Sequence, residues 1–256
     1  MAVYTTEIAS DKITSDNPIH QRLLKAYYVA KDYVKGDLLE IGCGEGRGIA
    51  LLHDKVGSYS GLDKISEVVA SLAKEYPQAS FKQSVIPPLP YPDGTFDTVI
   101  SFQVIEHIKD DKAYLREISR VLKPGGIALL TTPNIKLSLS RNPWHIREYT
   151  AGQLNELCKT DFTAVELKGI TGNEKVMQYY QGNKESVKRL TRFDIFDLQH
   201  KLPAFMLKIP YEIMNRLNRN KLQTSDNELV ASISHEDYIV SDNADTSLDL
   251  LAVLTR

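Results

Sequence analysis

The sequence predicts an α/β fold: a doubly wound, mostly parallel sheet of seven strands, with a helical insertion before the last strand. Three observations carry this. From residue 37 onward, short β-like apolar runs alternate with helix-length stretches, at the pace of the strand–helix–strand units that build a parallel sheet covered on both faces. The first run opens into a glycine-dense turn, DLLEIGCGEGRGIALL over residues 37–52, with Gly42, Gly44, Gly46 and Gly48 close together. The rhythm lapses at about 171–245, which shows helical patterns of its own, and returns only for a final run near the end of the chain.

Taken in order, residues 1–17 are polar and end at Asn17-Pro18, so they read as a flexible arm ahead of a domain covering 18–256. From Ile19 to Val34 the residues Leu23, Leu24, Tyr27, Tyr28, Val29 and Val34 recur at helical spacing, and Gly36 closes the helix. Strand-like runs follow at Leu38–Ile41, Ser58–Leu62, Ser80–Phe81, Thr98–Phe102 and Ile127–Thr131, separated by helical stretches at about 49–56, 66–76 and 111–122. Ala164–Ile170 and Leu248–Leu254 supply the last two strands.

Bulk properties exclude several function classes. A chain of 256 residues, 42% hydrophobic and 25% charged, can bury a full core as one domain with an insertion. Its net charge of −2 gives no global basic field for nucleic acid. Cys43 and Cys158 are too few and too unpatterned for a disulfide framework or a zinc site, which points to a reducing compartment. The first residues lack a basic segment followed by an apolar one, and no apolar run approaches the ~18 residues of a membrane span. The expectation is a cytoplasmic protein without a transmembrane segment.

In a doubly wound sheet, ligands sit outside the carboxyl ends of the strands, where the first strand turns into a helix. Glycine at such a turn accepts positive φ and lets a ligand reach the main chain. The dinucleotide fingerprint G-x-G-x-x-G fails, because Arg47 stands where the third glycine should be. NAD is therefore disfavoured.

The pattern Glu40-x-Gly42-x-Gly44-x-Gly46 resembles motif I of the class I S-adenosylmethionine-dependent methyltransferases. That resemblance implies a Rossmann-like methyltransferase fold and S-adenosyl-L-methionine as cofactor. It sets Glu40, Gly42, Cys43, Gly44 and Gly46 around the methionine part of the cofactor. It also implies that Asp63, in GLDKI with Lys64 after it, ends the second strand and accepts the ribose hydroxyls. The stretch LPYPDGTFDTVISFQVIEHI resembles the family's third-to-fourth strand region, which would set Phe102 and Gln103 beside the sulfonium; RVLKPGGIALLTTPN resembles its fifth-strand region. Together the motifs cover residues 37–134 in the family's order. One departure stands out. Many relatives carry an aspartate after strand three for the adenine amino group, where this chain reads Phe81-Lys82-Gln83-Ser84-Val85; Gln83 or Ser84 could accept that bond instead.

VIEHI, TTPN and NPWHIREYTAGQL further resemble a branch of methyltransferase type 11 proteins, similar to ubiquinone-pathway O-methyltransferases and to enzymes found with polysaccharide synthesis. The branch implies transfer to an oxygen of a small-molecule or glycan-like acceptor. The competing readings are a nucleotide-linked oxidoreductase and a non-catalytic S-adenosylmethionine-binding protein.

For a hydroxyl acceptor, histidine is the natural base. His107 after strand four and His145 in the loop after strand five are the candidates, with a backbone hydrogen bond at the start of the next helix as the leading reading for His107. Trp144, Arg147 and Tyr149 form a candidate acceptor-binding cluster, with Arg147 able to grip an anion through its planar fork. Its structural alternative is a helix start, with Thr150 as N-cap and Arg147 paired to Glu148. Asp110-Asp111 suits the first turn of a helix, and no metal is expected. The basic stretch KLPAFMLKIPYEIMNRLNRNKL carries Lys201, Lys208, Arg216, Arg219 and Lys221 against Glu212, and is broken by Pro203 and Pro210. It reads as part of a substrate lid at about 171–245, ahead of contact with a membrane surface.

Overall fold

The computed structural model describes residues 13–192, Asp194 and 198–256. A 3-10 turn at Thr14–Asp16 leads into α1 (Asn17–Ala30), where Pro18 occupies the first turn and forfeits no helical hydrogen bond. There follow β1 (Asp37–Ile41), α2 (Arg47–Leu52), β2 (Ser58–Asp63), α3 (Ser66–Glu75) and β3 (Ser80–Gln83). The next unit is β4 (Phe96–Phe102), a 3-10 turn at Ile105–His107, α4 (Asp111–Val121) and β5 (Leu122–Pro133). The chain finishes with α5 (Ala151–Cys158), β6 (Ala164–Gly172), α6 (Glu174–Thr191), α7 (Leu198–Lys201), α8 (Ala204–Ser225), α9 (Asn227–Ser232), β7 (Tyr238–Ser241) and β8 (Asp249–Thr255).

These strands form one sheet in the order β3-β2-β1-β4-β5-β8-β6-β7. The five strands from β3 to β5 are parallel, β8 is antiparallel to both β5 and β6, and β7 is antiparallel to β6. The order reverses between β1 and β4, which pair from Leu38↔Thr98 to Ile41↔Ser101. The loops leaving these two strands therefore emerge side by side, at the topological switch point where such sheets bind ligands.

Alternation along the strands divides the core. Leu39, Ile41 and Val99 pack on one face with Tyr114, Leu115 and Ile118 of α4, while Leu38 and Ile100 face Ile49, Leu52 and Val176 on the other. Every predicted strand is present. The sheet has eight strands rather than seven, because Tyr238–Ser241, inside the stretch expected to be helical, pairs with β6 from Gly169↔Ser241 to Gly172↔Tyr238.

Two further expectations change. Residues 1–12 lie outside the described residues, but 14–17 are packed in place. Asp16 is fully buried and accepts from Arg216 Nη1 at 2.8 Å and Arg219 Nη1 at 3.0 Å, while Asn17 Nδ2 donates to the Val230 and Ile233 carbonyls at 2.8 and 2.9 Å. Of the two prolines expected to break the basic stretch, Pro203 does so, standing between α7, which ends at Lys201, and α8, which it caps, whereas Pro210 lies within α8 without ending it. With Arg216 and Arg219 both turned to Asp16, which offsets one of their two charges, that helix is less basic toward solvent than its composition suggests. Among the described residues, no helix is long and apolar enough to cross a membrane.

Candidate active site

The four glycines answer different demands. Gly44 has φ +48°, and a Cβ placed there would meet nothing closer than the Gly42 carbonyl oxygen at 4.0 Å, so the main chain stands bare toward the crevice. Gly48 lies inside α2, where a Cβ would fall 2.5 Å from Glu40 Oε2 and 2.7 Å from the Tyr27 ring. Gly42 abuts Val104, which joins the glycine loop to the segment after β4.

Glu40 sits beneath this loop rather than in the crevice. It is 1% exposed, accepts from the Tyr27 hydroxyl at 2.7 Å and also from the Tyr59 hydroxyl, and burial pushes its carboxyl up to about 7 against the pull of those two donors. The Cys43 side chain is likewise buried, next to Gly61, so neither residue turns its side chain toward a cofactor. Both carry the loop from below, a correction to the side-chain contacts their place in the motif suggests.

Asp63 does face the loop. Its Oδ2 accepts from Gly44 N and its Oδ1 from Ile65 N, both at 3.0 Å, which fixes the carboxylate at the end of β2. Beside it, Ser84 N donates to the Asp63 carbonyl at 3.0 Å and Gln83 Nε2 to the Lys64 carbonyl at 3.1 Å. Asp63, Lys64, Gln83 and Ser84 are thus gathered on one rim. After β4, the Phe102 ring turns into the core and meets Tyr27 edge-on at 4.9 Å, away from the crevice. Gln103 has φ +57°, an uncommon conformation for a side-chain-bearing residue, pinned by Gln103 N donating to the Thr131 carbonyl at 2.9 Å.

Gln103 also lines a cavity of about 260 Å³. Its walls come from four places: Arg22 on α1; Glu106 and His107 after β4; Ser138, Asn142, His145 and Glu148 after β5; and Tyr180, Asn183, Tyr211, Asn215 and Arg219 on α6 and α8. His107 and His145 meet edge-on with centroids 5.0 Å apart. His107 Nδ1 bonds the Trp144 carbonyl at 3.0 Å, and burial, then the neighbouring His145, lower its pKa to about 4. His145 Nδ1 bonds Glu148 Oε1 at 2.6 Å, and its Nε2 lies 2.8 Å from Asn142 Nδ2. Burial opposes ionisation of Glu148, but its bonds to His145 and Ser138 prevail and hold its carboxyl below the usual value. Glu106 is 1% exposed, accepts from Thr132 Oγ1 at 3.0 Å, and is pushed up to about 7 by burial. The structure therefore brings Glu106 to both histidines, with side-chain ligand atoms of the three within 4.8 Å of one another.

The expected acceptor cluster disperses. Arg147 pairs with Asp111 Oδ2 and donates to the Lys109 carbonyl at 2.8 Å, while the buried Tyr149 hydroxyl donates to the same Asp111 oxygen at 2.9 Å. Trp144 Nε1 donates to Glu212 Oε1 at 2.9 Å under Lys208 Nζ, 3.7 Å from the ring centroid. None of these three side chains lines the cavity. Trp144 sits in a turn ahead of the irregular segment that carries the other two, and the Asp111 carboxylate draws in Arg147 and Tyr149. The helix-start alternative is present as well: Thr150 and Gln153 form a reciprocal capping box for α5, while Glu148 pairs with His145 rather than Arg147. The missed wall residues on α1, α6 and α8 belong to no local motif, and only the packing of helices distant in sequence unites them.

A methyltransferase-domain family model matches residues 39–130. A probable S-adenosylmethionine-dependent methyltransferase of Mycobacterium tuberculosis is 31% identical over 226 residues, covering 86% of this chain and 77% of that one. The chain belongs to the S-adenosylmethionine-dependent methyltransferase family. The family's cofactor is S-adenosyl-L-methionine. A relative from Mycolicibacterium smegmatis, also a probable S-adenosylmethionine-dependent methyltransferase, is 42% identical over 135 residues; that match spans 51% of this chain and about half, 52%, of the relative. Among solved structures, a methyltransferase of Thermotoga maritima superposes with a TM-score of 0.59 at 14% identity, covering 93% of this chain and 91% of its own. It shares the Rossmann-like methyltransferase fold.

Proposed function

We propose that this methyltransferase acts on an oxygen of a small, hydroxyl-rich acceptor, glycan-like in its polarity, held in the cavity beside the glycine loop. One observation carries the reading. The cavity carries amide, hydroxyl, carboxylate and arginine side chains among aliphatic ones such as Ile19, Leu23 and Leu139, and Gln103 on its wall directly precedes Val104, the residue that abuts Gly42 of the loop. Asparagine, serine and tyrosine groups can pair with both the donor and the acceptor side of a sugar hydroxyl.

The residues on the opposite rim fit S-adenosylmethionine, which supplies a methyl group already activated on a sulfonium. Gly44 offers bare main chain, with Gly42 beside it packed against Val104; Asp63 offers a carboxylate for the ribose; Lys64, Gln83 and Ser84 border the adenine end. Because Gln83 Nε2 is held by the Lys64 carbonyl, its Oε1 is the better-oriented acceptor for the adenine amino group. Glu40 and Cys43 hold the loop in shape, and Phe102 backs it through Tyr27. The principal task left to the chain is alignment, which can supply ~7–11 kcal/mol of the barrier, whereas proton removal typically contributes 10²- to 10⁴-fold. The acceptor's reacting hydroxyl is placed at the corner made by His107 and His145, enclosed by the loop at 135–150 and by α6 and α8. The two buried free cysteines support a cytoplasmic setting.

Mass spectrometry of saccharide, phenol, carboxylic-acid and amine panels incubated with the enzyme and methyl-labelled S-adenosylmethionine tests the proposal. Label on a hydroxyl of a polar acceptor is expected. Label found on amines alone refutes the oxygen assignment, and calorimetry showing tight NADH binding without S-adenosylmethionine binding refutes the whole reading.

A further inference from the structure

Glu106, His107 and His145 reach one corner of the cavity from two separate loops. We propose that they form a binding site for a first-row divalent cation of the zinc, manganese or cobalt class, with the acceptor's oxygen as a further ligand. The role given to the acceptor rests on the methyl-transfer reading; the site itself does not. It runs against the absence of a metal expected from the sequence; the acidic pair Asp110 and Asp111 does not line the cavity.

Orientation of the imidazoles is the main argument. Metal-bound histidines almost always donate their second ring N–H to a carbonyl or carboxylate, which fixes the tautomer and aims the ring. Both rings here are arranged so. His107 Nδ1–H donates to the Trp144 carbonyl at 3.0 Å and His145 Nδ1–H to Glu148 Oε1 at 2.6 Å, a hydrogen-bond network that leaves the lone pair on Nε2 in each. The Asn142 amide donates to the His145 lone pair at 2.8 Å without a cation, and would swing aside for one.

The third ligand is equally prepared. Glu106 is a buried carboxylate steadied by Thr132 Oγ1, and its carbonyl accepts from Ile146 N at 2.8 Å and Arg147 N at 3.3 Å. That backbone pairing stitches the turn bearing Glu106 and His107 to the loop bearing His145, so the three ligand atoms are positioned within 4.8 Å before any cation arrives. One carboxylate in the set and a second, Glu148, behind it suit a divalent charge, and Arg147, the cation next in sequence, is turned away to Asp111. Two nitrogens with one oxygen favour zinc, manganese or cobalt over the oxygen-only shells of calcium and magnesium. All three residues line the cavity, so an acceptor hydroxyl could take an open position. There the cation would lower the hydroxyl's pKa, the O–H bond would break with the proton passing to solvent, and the oxygen would keep the electron pair for attack.

Cobalt titration followed by visible absorption tests this on the full chain after chelator treatment. Wild type should bind one equivalent and develop the d–d bands of a mixed nitrogen–oxygen site. The paired change His107→Ala with His145→Ala should remove the bands, whereas His53→Ala, at a half-buried histidine beside an exposed aspartate and away from the cavity, should leave them. Glu148→Gln, which only loosens the hold on His145, should weaken cobalt binding about 10- to 100-fold while circular dichroism stays that of the parent. Absence of bands in wild type, their survival in the double variant, or their loss in His53→Ala overturns the proposal. Calorimetry with S-adenosylhomocysteine separates the two readings: cobalt bound at this site without cofactor binding would refute methyl transfer and leave the cation site standing.

Discussion

Replacing Glu40 with glutamine should change how stability depends on pH, and by a predictable amount. In the folded chain burial raises this carboxyl from 4.5 to about 7, so between those values the folded protein keeps a proton that the unfolded chain has released. The stabilising contribution of the protonated form is therefore full below about pH 4.5 and is lost as pH rises through 7. The gap, at about 1.4 kcal/mol per pH unit, comes to about 3 kcal/mol. Glutamine keeps one oxygen for a phenol and offers its amide to the other, and it has no charge to bury. In urea unfolding, Glu40→Gln should therefore gain about 3 kcal/mol relative to wild type between about pH 4.5 and pH 8. Glu106, also raised to about 7, and His107, lowered to about 4, titrate in both proteins and cancel in the difference. A difference flat to within about 0.5 kcal/mol would refute the reasoning; it would mean that the Tyr27 and Tyr59 hydroxyls fully offset burial and that Glu40 is ionised beneath the loop.

Gly44→Val should abolish S-adenosylmethionine binding by calorimetry while the chain still folds, since the new side chain enters open space at the crevice and costs only the strain of positive φ. Asp63→Ala should weaken cofactor binding by about 1.5–3 kcal/mol, the worth of a hydrogen bond to a charged group; it should also lower the melting temperature, because two backbone N–H groups lose their acceptor. Arg147→Ala should leave the acceptor's KM within about twofold and reduce stability instead. A large rise in KM there would restore Arg147 as an acceptor contact.

The fold was legible because each central strand is an apolar run buried on both faces, and such runs announce themselves without knowledge of their neighbours. Tyr238–Ser241 was not, since four residues at a sheet edge with exposed or partly exposed members carry no such signal, and only pairing with Gly169–Gly172 makes them a strand. The motif placed the glycine loop after β1 and Asp63 at the end of β2, where the structure has them, but gave no sign of the Gly44 N–Asp63 Oδ2 bond that ties the two together. The acceptor side was not. Trp144, Arg147 and Tyr149 are neighbours in sequence and scatter in space, whereas Arg22, Asn183 and Asn215 are far apart in sequence and share a wall. Glu106 lay in plain view beside His107, yet nothing local signalled that His145 would fold back onto both.

The burial of Asp16 gives the start of the chain a hold over the acceptor's chamber. Arg219, which borders that chamber, is paired, along with Arg216, to a carboxylate more than 200 residues earlier in the sequence. Trimming or tagging this segment would therefore alter more than stability: with Asp16 withdrawn, Arg216 and Arg219 would lose the carboxylate they share, and the chamber would gain positive charge and turn toward anions. Affinity for a phosphorylated or carboxylated compound that rises on shortening the N-terminus would be the mark of that change, with the cofactor rim untouched.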